Sequence, residues 1–413
     1  MDLTGVLDAL GAPATTALAG LMVGLLFGVF AQRSRFCLRA AVVEFARGSL
    51  GSKVALWLIA FAAAVLFTQG LMALGRLDVS EARQLAGTGS LSGAIVGGLI
   101  FGVGMVLTRG CPSRLLVLAA GGNLRALVSG LLFAVTAQAT LNGALAPARD
   151  AVAGWWVVRD ASVRDGLTLL GLDAGAGVVL GGVFMAGAIL VALRNRLSAW
   201  VWVGGLGVGA TVAAAWWVTY TLSWQAFDPV QVEGISFTGP SAETLMLLLA
   251  PPGAPLDFDI GLIPGVFLGS FLAAWLARDL KLEGFAGGFA MRRYIAGAVL
   301  MGAGGMLAGG CAVGAGVTGG AVFALTAWVA LFCMWVGATL ADLVVDRRGL
   351  ILRDPDVGEA TAVPRSAPPS PSTSSAGARP GWVALPPSAT RDTPPVDPAP
   401  PSPDAGSRRG HAA

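Results

Sequence analysis

The scarce chemistry of this chain lies in four cysteines, Cys37, Cys111, Cys311 and Cys333. A thiol is a weak hydrogen-bond donor and a soft, polarizable contact. The single histidine is His411, near the C-terminus. The body of the chain therefore offers no imidazole for general-base work or for a mixed Cys/His metal site. Structural zinc wants paired ligands at short spacing, and these cysteines are isolated. Disulfide frameworks belong to small secreted domains. Three of the four have charged or glycine neighbours. Cys37 lies in Gln32-Arg33-Ser34-Arg35-Phe36-Cys37-Leu38-Arg39, Cys111 lies between Arg109 and Arg114, and Cys311 follows Gly309-Gly310. Positive neighbours and helix starts favour an anion beside the thiol. Cys333, inside Leu331-Phe332-Cys333-Met334-Trp335, reads as a packing residue, the ordinary role of a buried free cysteine.

The elements that position these thiols must be membrane helices. Of 413 residues, 55% are hydrophobic and 12% charged, with a mean hydropathy of +0.73; a soluble domain carries roughly 25% charged residues. This excludes soluble-enzyme folds and nucleic-acid readers, and makes the lipid bilayer the first partner. A net charge of +3 selects no other. The expected fold is an all-α polytopic membrane protein. Nine stretches approach the roughly 20 apolar residues that a span needs: 14–31, 54–75, 91–108, 126–147, 174–193, 199–220, 259–277, 294–309 and 322–345. Residues 1–350 form the transmembrane domain. Residues 351–413 hold 14 of the 23 prolines and read as a disordered cytoplasmic tail. The basic segments 32–53, 194–198 and 346–353 contrast with 221–259, which has five carboxylates and no Lys or Arg. The positive-inside rule places the first three in the cytoplasm, the N-terminus outside and the tail inside. Within this frame Glu44 is expected to pair with Arg47, and Asp342 with Arg347 or Arg348.

Two internal matches suggest two related halves, about 15–147 and 259–345. Gly97–Cys111 and Gly297–Cys311 share six of fifteen residues at an offset of 200, four of them glycine. Gly20–Phe30 and Gly261–Phe271 share Gly, Leu, Gly, Gly and Phe at an offset of 241. Related halves meeting at the bilayer midplane are a common transporter architecture. The span count makes one pair parallel and the other antiparallel, so both inverted and parallel repeats remain open. Arg109-Gly110-Cys111-Pro112 and Gly309-Gly310-Cys311 read as helix breaks, forming short re-entrant elements. Pro112 favours a helix restart, and irregular backbone at this depth must be buried in protein or line a cavity. At the offset of 241, Cys37 faces Arg278, which reads as a positive-inside residue.

The stretches Arg33–Leu38, Phe101–Ser113 and Met301–Gly314 together resemble the YeeE/YedE sulfur-transport family, in order over about residues 15–345. The resemblance implies an inner-membrane thiosulfate importer with three pathway cysteines, Cys37, Cys111 and Cys311, and a cytosolic sulfur-carrier partner of the TusA type. Around the thiols, Gly110, Gly310, Arg109 and Arg114 are expected to shape the path, with interfacial snorkelling an equal reading for the two arginines. No cofactor or metal is implied, and no phosphate-binding loop is present. Two alternatives stand beside this one: a membrane sulfurtransferase that takes sulfane sulfur as a cysteine persulfide, and a transporter of a selenium or other sulfur-containing oxyanion.

Overall fold

A computed structural model describes residues 4–347, apart from 83, 84, 86, 173, 228, 250–255 and 285–287. The expected tail from residue 351 lies outside the described residues. Backbone groups in a bilayer must be satisfied within the chain, and the apolar runs accordingly form helices. Among the described residues, nine stretches are long and apolar enough to cross a membrane, and they fall on the nine expected spans. The elements used below are α1 (Ala12–Ser34), α2 (Leu38–Ala46), α3 (Ser52–Ala73), α4 (Leu91–Leu107), α5 (Pro112–Ala120), α6 (Leu124–Leu141), α7 (Ala174–Arg194), α8 (Ala199–Gln225), α9 (Thr238–Leu249), α10 (Phe258–Leu276), α11 (Gly288–Leu307) and α12 (Leu325–Ala341). A π-helix, Ala312–Thr318, follows α11. The protein is an all-α polytopic membrane protein; its described strands are a two-residue antiparallel pair, Gly89–Ser90 with Val157–Val158.

We call the face at which α1 begins the upper face and the one at which it ends the lower face. Side-chain contacts tie together the loops that meet at each. At the lower face Asn195 donates to the Leu50 carbonyl at 2.7 Å, and Arg33 stacks on Trp200 at 4.9 Å. Asn123 there donates to Glu283. At the upper face Ser90 donates to the Ala153 carbonyl at 2.8 Å, Thr219 to the Glu233 carbonyl at 2.7 Å and Gln69 to the Ala321 carbonyl at 2.8 Å.

Lipid gives helices no hydrophobic reason to associate, so close backbone approach at small residues holds such bundles together. The glycine matches seen in the sequence are these contacts. A side chain on Gly20, Gly24 or Gly28 would overlap the carbonyl oxygen of Phe258, Leu262 or Val266. One on Gly261, Gly265 or Gly269 would overlap that of Ala17, Leu21 or Leu25. Each contact maps onto another at the offset of 241, and residue numbers rise together, so α1 and α10 run parallel about a local two-fold axis along their length. The other match behaves differently. A side chain on Gly97 would come within 2.6 Å of the Gly304 oxygen, and one on Gly304 within 2.8 Å of the Gly97 oxygen. Gly104 and Gly297 stand in the same relation, at 2.6 and 2.8 Å. Here the numbers run in opposite senses, so α4 and α11 are antiparallel and exchange about an axis across the bundle. One pair is parallel and one inverted, as the span count requires.

The expected Glu44–Arg47 pair is replaced by other contacts. Glu44 accepts from the backbone N–H groups of Lys53 and Val54, both at 2.8 Å, and so caps α3. Its expected partner Arg47 instead reaches Asp342, 3.1 Å away and fully buried. A carboxylate at a helix N-terminus meets unpaired N–H groups, which leaves Arg47 free for the carboxylate of another span.

Candidate functional site

Both antiparallel helices break after the matched glycines, and each break ends on a cysteine that begins the next helix. On α4 the Thr108 hydroxyl donates to the carbonyls of Gly104 and Gly110, at 2.9 and 2.8 Å. Arg109 then takes the left-handed conformation, φ 59°. Cys111 returns to extended backbone, and Pro112 opens α5, the position where its missing N–H costs nothing. On α11 the same turn uses Gly309, φ 78°, and Gly310, φ 156°, before Cys311 opens the π-helix. Left-handed backbone is costly for a residue with a Cβ; the second break uses glycine and the first holds an arginine there.

Cys37 joins this pair from a third break. Arg35, φ 57°, ends α1, and Cys37 in extended backbone begins α2. Arg278, φ 57°, closes α10 with the same turn. The structural counterpart of Arg278 is therefore Arg35, at an offset of 243, and not Cys37. It is a turn residue at the lower face, in keeping with the positive-inside reading.

The three thiols divide between two places. The Cys37 and Cys111 side chains face one another. Ser113 sits 3.3 Å from the Cys111 sulfur, and the Arg114 guanidinium acts on both thiols, with Arg39 also acting on Cys37. One terminal nitrogen of Arg114, Nη1, is buried with no protein partner. Arg114 also lines a lower cavity of about 270 Å³, together with Arg35, Asn123, Asp279, Lys281 and Glu283; neither thiol lies on its wall. Gly110 is buried behind it, whereas Arg109 is exposed and supplies the turn.

Cys311 occupies the upper half. The N–H of Gly314 donates to its sulfur at 3.4 Å, and the backbone of Val313 and Phe237 and the Thr238 side chain also approach it. Beside it an upper cavity of about 430 Å³ is lined by Ser236, Thr238, Gly309, Gly310 and Arg149. The Ser236 and Thr238 hydroxyls are buried and make no hydrogen bond of ordinary geometry. A buried polar group normally has a partner; these two hydroxyls line one cavity, Thr238 with only the Cys311 sulfur beside it, and are available to a hydrogen-bonding guest. The sequence reading missed them, because 221–259 stood out only for its carboxylates; the uncharged run Ile235-Ser236-Phe237-Thr238-Gly239 within it was the available signal.

Depth follows from the antiparallel contact. Gly97 lies beside Ala308, and Gly297 beside Thr108. The two breaks are thus about eleven residues apart along α4, or roughly 16 Å at 1.5 Å per residue. Between them α4 carries Phe101 and Met105, both fully buried. Cys333 belongs to neither place. It is buried on α12 against Gly98 of α4 and packs two helices. Among the described residues no group of three or more His, Cys, Asp or Glu is placed to hold a metal ion.

Comparison with known proteins adds to this geometry. The family described as sulphur transport matches residues 33–340. The thiosulfate transporter TsuA of Spirochaeta thermophila is 27% identical over 352 residues, covering 80% of this chain and 99% of that protein. The Escherichia coli K12 protein of the same name is 24% identical over 344 residues, covering 79% and 94%.

Proposed function

The chain belongs to the sulphur-transport family, and from that premise we propose that it carries thiosulfate across the bilayer along the thiols of Cys311, Cys111 and Cys37. The observation that carries this reading is the pair of inverted helix breaks on opposite sides of buried Phe101 and Met105, each starting a helix on a cysteine, with a cavity reaching Gly309 and Gly310 above and one reaching Arg114 below. A dianion at bilayer depth needs compensation. The upper cavity offers the Ser236 and Thr238 hydroxyls to the oxygens and Cys311 to the terminal sulfur. The lower place offers two thiols, the Ser113 hydroxyl and the Arg114 guanidinium. Thiols are weak donors, and weak successive sites permit both capture and release, which conduction requires. Gly310 lets the backbone turn before Cys311, whereas Gly110 leads into Cys111 behind the left-handed Arg109, which adds positive charge at the lower rim.

Charge supports a direction. The lower face carries Arg33, Arg35, Arg39, Arg47, Lys53, Arg194 and Arg196, while Glu233, Glu243, Asp257 and Asp259 lie toward the upper face. By the positive-inside rule the lower face is cytoplasmic, in the inner (plasma) membrane, and the N-terminus is outside. Thiosulfate then enters at Cys311 and leaves at Cys37, where a cytosolic TusA-like sulfur carrier collects it. The protein acts as a transporter and forms no lasting bond with its cargo.

The test is uptake of radiolabelled thiosulfate into vesicles holding the purified chain, competed with sulfate and with selenite. Saturable thiosulfate uptake is expected. Absence of uptake, or selenite as the preferred cargo, would overturn the reading. A cysteine persulfide that accumulates on the intact protein during turnover would favour the sulfurtransferase instead.

A further inference from the structure

A groove on the lower half of the bundle takes no part in the thiol path. It has a volume of about 510 Å³, and Val103 and Leu107 of α4, Ala296 of α11, Leu340 of α12 and Val344 of the π-helical turn Asp342–Arg347 that follows line it. Its volume falls within the usual range for ligand pockets. Leu340 and Val344 are 54% and 37% exposed, on helices that cross the membrane, so the groove opens toward lipid. One end is cationic. Arg292 and Arg293, near the start of α11, line the same groove.

Charge at that end is not balanced. The Arg293 side chain is 9% exposed and reaches Asp346 at 2.7 Å and the Val106 carbonyl at 3.2 Å. Its Nε is buried with no partner. Arg39 shares the same Asp346 carboxylate at 3.2 Å, and the neighbouring Asp342 holds Arg47. Among the described residues two guanidiniums, those of Arg39 and Arg293, thus meet one carboxylate, and Arg292 adds a third cation on the wall of the same groove. An anion is called for at the mouth of an apolar groove that faces acyl chains. One class of molecule supplies both parts, since basic pockets between helices on the cytoplasmic side bind anionic head groups.

We propose that this groove is a binding site for one anionic phospholipid, its phosphate at Arg292 and Arg293 and one acyl chain along Val103, Leu340 and Val344. Because Asp346 joins Arg293 to Arg39, two residues beyond Cys37, the bound lipid also steadies the start of α2 beside the lower thiols. Lipid binding itself does not depend on which anion the thiol path carries.

The test uses the full chain in zwitterionic detergent, followed by native mass spectrometry and thermal unfolding. The probes are phosphatidylglycerol, phosphatidylcholine and inorganic phosphate. One phosphatidylglycerol per chain should be retained and should raise the Tm, and neither other probe should do so. Arg292→Gln should weaken retention about fivefold, the worth of one interfacial cation. Ala296→Trp, which fills the groove, should abolish it. Both variants should unfold with the wild-type Tm in phosphatidylcholine, showing that they are folded. Equal retention of phosphatidylcholine would overturn the proposal, as would stabilisation by phosphate alone. So would phosphatidylglycerol binding that survives both substitutions, or a dimer that covers this face.

Discussion

The breaks at Cys111 and Cys311 are the same turn in two electrostatic settings. Both follow a glycine-rich helix packed against its inverted partner, and both place a cysteine at a helix start. The Cys111 break holds Arg109 in left-handed backbone, adds a second thiol from Cys37 and stands beside Arg114. The Cys311 break uses two glycines, has one thiol and surrounds it with N–H groups and hydroxyls. The lesson is a division of labour. On the proposed path the upper place offers mainly hydroxyl and N–H donors, with Arg149 on the cavity wall, and the lower place offers a buried guanidinium and two thiols. An anion moving downward would pass from directional hydrogen bonds to a stronger but less directional field.

The sharpest way to break this comparison is to treat the two glycines alike. A Cβ on Gly310 would stand 2.8 Å from the Ala315 nitrogen, at φ 156°, so Gly310→Ala should cost about 1–3 kcal/mol of local strain. Thiosulfate uptake should fall at least about tenfold. A Cβ on Gly110 meets nothing nearer than 3.4 Å, ordinary van der Waals contact, and its φ is not left-handed, so Gly110→Ala should leave uptake within about twofold. Equal losses would mean that the two turns are equally constrained.

Charge comes next. Arg114→Gln removes the buried guanidinium beside both lower thiols. A hydrogen bond to a charged group is worth about 1.5–3 kcal/mol, so uptake should drop roughly tenfold to a hundredfold. Unchanged uptake at matched protein levels would remove Arg114 from the path. At the upper place Thr238→Val and Ser236→Ala each delete a neutral donor worth about 0.5–1.5 kcal/mol. The half-saturating thiosulfate concentration should rise about threefold to tenfold, with little change in maximal rate. A fall in maximal rate alone would mean that the hydroxyls shape the passage and do not bind the cargo. The smallest effect belongs to Cys333→Ala, which should leave uptake within about twofold and lower stability by about 1 kcal/mol. A transport defect there would contradict its role as a packing residue.

How much of this was legible in the sequence follows from the range of each interaction. The helices, their number and the positions of both breaks came from apolar runs and from Gly-Cys and Pro112, which act locally. The repeat was visible because close packing at Gly97, Gly104, Gly297 and Gly304 demands the same residue type on both helices. Three features depend on contacts between distant segments and were not legible. The pairing of Cys37 with Cys111 joins residues 74 positions apart. The Ser236 and Thr238 hydroxyls reach the Cys311 break from a loop read only for its carboxylates. Arg47 left its near neighbour Glu44 for Asp342, 295 residues away, because Glu44 was engaged as a helix cap. The equivalence of Arg278 with Arg35 was hidden by a two-residue shift after the matched glycines.

The central claim is that one anion path presents Cys311 to the upper face and Cys37 with Cys111 to the lower. It is tested by labelling single-cysteine variants in sealed vesicles of known orientation with a membrane-impermeant thiol reagent. Cys311 should react only from the upper side and Cys111 only from the lower. Thiosulfate should slow both reactions, and sulfate should not. Labelling of both cysteines from one side, or labelling rates that ignore thiosulfate, would contradict the account.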